Sequence, residues 1–87
     1  MKKGESIWEN RIAMYFQNRP GSSTDDFVQQ LSDSGLMTFM EDCSGIIMKE
    51  VSISRSERRE FEDIEDLIRN ALRRFVDEFI SKRQNAV

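Results

Sequence analysis

Histidine is absent from this 87-residue chain, and cysteine, proline, tryptophan and tyrosine each occur once. Without imidazole there is no Ser-His-Asp or Cys-His nucleophilic arrangement, and no side chain that ordinarily titrates near neutrality. One cysteine and no histidine cannot assemble an ordinary zinc site. A single cysteine, Cys43, also excludes an intramolecular disulfide and fits a reducing compartment. The four glycines, at 4, 21, 35 and 45, are too scattered for a phosphate-cradling loop, and no acids have calcium-loop spacing. The residues therefore imply no metal, no cofactor and no enzyme.

Long hydrophobic runs are missing too: nothing approaches the roughly 20 residues needed to cross a bilayer. After Met1-Lys2-Lys3, the charges of Glu5, Glu9 and Arg11 leave no apolar signal segment. These absences predict a cytoplasmic protein without membrane contact. With 38% hydrophobic and 33% charged residues, the chain reads as one small soluble domain over 1–87. A chain this short buries only roughly 60–65% of its unfolded surface, so its core is modest.

Positive charge is in deficit. Lys and Arg number 13 against 16 Asp and Glu, for a net charge of −3 and a pI near 4.9. That disfavours a general nucleic-acid binder, whose affinity comes from neutralising phosphates. The distribution is uneven. Asp25, Asp26, Asp33, Glu41, Asp42 and Glu50 face Lys49 alone, and then Arg55, Arg58 and Arg59 follow closely. This basic cluster is the candidate contact for an anion or an acidic partner, with Glu57, Glu60 and Glu62 near enough to neutralise it.

What is present is helical periodicity. Ile7, Trp8, Ile12, Tyr15 and Phe16 make one apolar stripe over 5–18, stopped by Pro20-Gly21. Thr24 precedes Asp25 and Asp26 as an N-cap for a short helix carrying Phe27, Val28 and Leu31, which Gly35 would end. Thr38 and Glu41 have capping-box spacing for a second short helix, closed by Gly45. Residues 46–53 are rich in β-branched side chains. Ile47, Val51 and Ile53 share a face at period two, so the segment reads as a short strand or an extended connector, with Lys49 as the misfit.

The last third carries the clearest pattern. Ser54 and Glu57 form another capping-box spacing, and Phe61, Ile64, Ile68, Ala71, Leu72, Phe75 and Phe79 recur at threes and fours. A helix of about 28 residues would be roughly 42 Å long, against a diameter of about 30 Å for a compact chain of this length. Its apolar pattern is also wide. A central arc anchored by Phe61, Ile68 and Phe75 suits the chain's own core, and Leu67, Leu72, Phe75, Val76, Phe79 and Ile80 are the candidate interface. Pairing of two such helices in a homodimer would bury both surfaces, and another protein is the alternative partner.

Cys43, beside Glu41 and Asp42, is expected to hold its proton tightly and act as a small hydrophobe. Met37, Met40 and Met48 are expected to fill an irregular core.

Two families share features of order. A short helix, a glycine turn and a second short helix over 25–44, then a strand, resemble a winged helix-turn-helix. That would seat 38–44 in a major groove, yet the segment carries Glu41 and Asp42 and no Arg or Lys. Asp33-Ser34 ahead of Leu36 and Met37 resembles an acyl carrier protein, which would make Ser34 the phosphopantetheine-bearing residue; Gly35 interrupts that motif. The sequence thus predicts a mainly α domain of about four helices. Its expected role is a non-enzymatic interaction module (a regulator, adaptor or assembly factor) that self-associates through its last helix. The alternative is a dimeric DNA-binding regulator.

Overall fold

The computed structural model describes residues 3–58 and 63–85. Among these, five helices form the chain and no strand occurs: α1 (Lys3–Asn18), α2 (Thr24–Gln30), α3 (Asp33–Asp42), α4 (Ser44–Ser56) and α5 (Ile64–Asn85). The mainly α class holds.

α2, α3 and α5 begin where side chains take up free N–H groups. Ser23, one residue before the expected Thr24, caps α2: its hydroxyl accepts from Asp26 N and the Asp26 carboxylate accepts from Ser23 N. Ser32 likewise accepts from Gly35 N at the start of α3. This cap explains why Gly35 sits inside a helix rather than ending one. Leu31 closes α2 in an extended conformation, leaving no left-handed cap for a glycine to fill. Gly45 likewise belongs to the first turn of α4. Gly21, at φ +88, does occupy the left-handed region after α1.

The segment 46–53 is helix, not strand or connector. Read at helical spacing, Ile47, Glu50 and Ser54 fall on one face, and all three are buried. Lys49, the misfit of the strand pattern, then points to solvent. Packing against α5 rewards that face, and tertiary contact overrides the β-branched preference. Ser54 is consequently a buried residue of α4 and no cap for the last helix. The Asp63 carboxylate accepts from Asp66 N where α5 begins, and Phe61 lies outside the described residues.

α5 packs against all four other helices. Its Ile68, Ala71, Leu72 and Val76 meet Trp8 and Ile12 of α1, Phe27 and Val28 of α2, and Leu36 and Phe39 of α3 in one core. Trp8 and Phe39 pack edge to face, with ring centroids 5.1 Å apart. Polar ties hold α2 on the other flank: Arg73 Nε donates to Asp25 Oδ1 at 2.8 Å, and the Thr24 hydroxyl donates to Asp77 Oδ1 at 2.6 Å.

The length argument for an overhanging helix does not survive. α5 has 22 residues and so measures about 33 Å. The molecule itself extends 34 × 29 × 27 Å. Ser54 to Ser56, expected at the start of that helix, belong instead to the end of α4.

Candidate functional site

Beside the C-terminal half of α5 lies an open groove of about 520 Å³. Three other parts of the fold complete it: the first turns of α1, the α3–α4 junction and the inner face of α4. Its apolar lining comes from Ile46 and Ile53 of α4 and Phe75 and Phe79 of α5. Helical spacing explains why: 46 and 53 are two turns apart, as 75 and 79 are one turn apart. Phe79 is covered on one side by the Arg83 guanidinium, 5.6 Å from its ring centroid.

The inner end of the groove is an ion pair. Arg74 Nε lies 2.7 Å from Glu50 Oε2, and Arg74 Nη2 lies 3.9 Å from Glu57 Oε2. Glu50 is only 2% exposed. Glu5 and Glu9 of α1, Asp42, Lys49, Glu78 and Lys82 line it as well. The Trp8 indole N–H donates to Asp42 Oδ2 at 3.0 Å, which ties the end of α3 to α1.

Two glycines shape the opening, for opposite reasons. A Cβ on Gly4 would stand 2.1 Å from the Asp42 carbonyl oxygen, so only glycine lets α1 approach α3 this closely. A Cβ on Gly45 would meet nothing within 4 Å, because that position faces open groove.

Cys43 also borders the groove but is buried, and burial pushes its thiol up to about 11, with help from Glu5 and Asp42. The direction matches the expectation from sequence, although desolvation rather than neighbouring charge is the main cause. At neutral pH such a thiol is a weak nucleophile. No three His, Cys, Asp or Glu side chains among the described residues are grouped as a metal site.

The six candidate interface residues separate. Leu72 and Val76 are fully buried in the core and have no surface for a partner. Leu67 and Ile80 are half-buried against that core and do not line the groove. Phe75 and Phe79 do line it. Arg55 and Arg58 are exposed around the end of α4, where Arg55 complements the helix dipole instead of opposing it, and Arg59 is outside the described residues. Glu50, which the sequence presents only as one of the acids of the middle segment, is a further residue of the groove. Its signal was its position between Ile46 and Ile53 on a helical face. Met37 and Met48 are exposed rather than core-filling, and Met40 alone packs against the core.

The two family resemblances lose support. Where a wing strand would stand there is α4, and the helix after the turn is α3, whose exposed Asp33, Glu41 and Asp42 present acid instead of a basic surface. Ser34 is exposed in the first turn of α3, its Oγ 3.0 Å from Ser32 Oγ. No helix is long and apolar enough to cross a membrane, among the described residues. No known protein family matches the sequence, no curated protein matches it significantly, and no solved structure matches the fold.

Proposed function

We propose that the protein is a non-enzymatic interaction module, a regulator, adaptor or assembly factor of the cytoplasm, that docks an apolar helix in the groove beside α5. The observation that carries this reading is a groove lined by the apolar Ile46, Ile53, Phe75 and Phe79 together with charged side chains. An apolar centre within a polar rim is the anatomy of a protein interface, and a groove between helices is the usual seat for a partner helix. Small-molecule sites are predominantly apolar, whereas here eight lining residues are charged. The lack of histidine and the raised Cys43 thiol add weight against catalysis.

The test uses an uncharged amphipathic peptide of Leu and Gln, about 18 residues or five turns long. Amide signals of Gly45, Ile46, Phe75 and Phe79 should shift on titration, and Gly45→Trp, which fills the groove, should abolish the response. Sedimentation equilibrium on the protein alone gives the second arm. A dimer that Gly45→Trp dissolves would place a second copy in the groove and support docking in its self-associating form. A monomer whose groove signals do not respond to peptide would remove the proposal.

A further inference from the structure

We infer that the helix this groove receives is basic and belongs to a different protein, a conclusion that rests on the docking role proposed above. Charge complementarity carries it. Glu50 and Arg74 neutralise one another at the inner end of the groove, 2.7 Å apart. The other charged residues lining it are four carboxylates, on Glu5, Glu9, Asp42 and Glu78, against the two ammonium groups of Lys49 and Lys82. With the Arg83 guanidinium over Phe79 counted as well, the groove stays net negative beside its apolar residues. An amphipathic helix with Lys or Arg flanking its apolar face satisfies both at once, and unlike charge across an interface also selects the partner.

A second copy of the chain fits less well. Among the described residues, the exposed large apolar side chains are Ile7 and Met14 on α1, Met37 on α3, Met48 on α4 and Ile64 on α5. None of these helices offers more than two such anchors, where a docking helix uses a stripe at i, i+3, i+4 and i+7. Two-fold pairing through the groove would also set the same negative lining against itself. Nucleic acid carries the groove's own sign of charge.

Three fluorescein-labelled peptides of about 18 residues, with one Leu pattern and Lys, Glu or Gln at every polar position, test the inference by anisotropy at about 150 mM salt. The Lys peptide should bind the full-length protein about tenfold more tightly than the Glu peptide, with the Gln peptide between them. The double substitution Glu5→Lys and Glu9→Lys should weaken the Lys peptide and strengthen the Glu peptide. Gly45→Trp leaves every charge in place and should abolish binding of all three. Should that variant lose its helical spectrum, amide shifts of Gly45, Lys49 and Lys82 in the wild type localise the peptide instead. Equal binding of the three peptides overturns the charge preference and leaves the docking role standing. Binding of none removes the docking role and the inference together. Lys-peptide binding away from the groove, or a groove-mediated homodimer, overturns the inference alone.

Discussion

Arg74 and Glu50 join α5 to α4 through an ion pair of unequal burial: the carboxylate is 2% exposed, the guanidinium 43%. Removing the exposed member leaves the buried one with less compensation, which is the expensive way to break such a pair. Arg74→Met keeps the packing of the side-chain stem and should cost about 2–4 kcal/mol in urea unfolding. Glu50→Met combined with Arg74→Met should recover most of that loss, because no buried charge remains. A single variant as stable as the wild type would show that partners other than Arg74 hold the buried carboxylate.

Glycines 4 and 45 should respond in opposite directions. Gly4→Ala drives a methyl into the Asp42 carbonyl, 2.1 Å away, so α1 must shift or fray; about 1–3 kcal/mol should be lost. Gly45→Ala meets nothing within 4 Å and lies inside α4, so it should be neutral or stabilise by up to about 1 kcal/mol. Thermal unfolding of the two variants side by side decides the matter. A tolerated Gly4→Ala would mean that the N-terminal turn of α1 does not stay on α3.

Where periodicity was long and backed by packing, the sequence was readable. The stripe of Trp8 and Ile12 and that of Ile68 and Phe75 both pack on the core as expected, because each recurs at helical spacing. Residues 46–53 misled because β-branched side chains fit both periods, and the choice was made by a neighbour (α5) far along the chain. That one error propagated. Starting the last helix at Ser54, where α4 is still running, lengthened it and created the overhang, one of the two supports for self-association. Gly35 and Gly45 look like helix ends in the sequence, since a glycine after an apolar stretch signals a stop as readily as a first turn. The groove had only Phe75 and Phe79 to announce it, as its other walls come from helices distant in sequence.

Arg58 is the one described non-glycine residue with positive φ, at 56°. It follows Glu57, the C-cap of α4, and its N–H bonds to the Arg55 carbonyl at 3.2 Å, so the chain turns there in a left-handed conformation. An L side chain in this region costs roughly 1–2 kcal/mol, part of which glycine gives back through its looser unfolded state. Arg58→Gly should therefore stabilise by about 0.5–1 kcal/mol, read from the urea midpoint. A destabilised variant would show that the Arg58 side chain makes contacts worth more than the strain.

The thiol of Cys43 makes stability depend on alkaline pH. Burial, then Glu5 and Asp42, raise it from 9.0 to about 11, so the folded protein keeps the proton longer than the unfolded chain does. A group whose folded value is raised contributes fully below its unfolded value, and that contribution is lost as pH climbs through the folded one. Stability from this source should be level to about pH 9 and should decline between about pH 9 and 11. The comparison that isolates the thiol is with Cys43→Ala. That variant should be less stable at pH 7, having lost a buried side chain, and should lose less between pH 9 and 11 than the wild type. Parallel curves for the two proteins would place the thiol in contact with water and remove its part in alkaline unfolding.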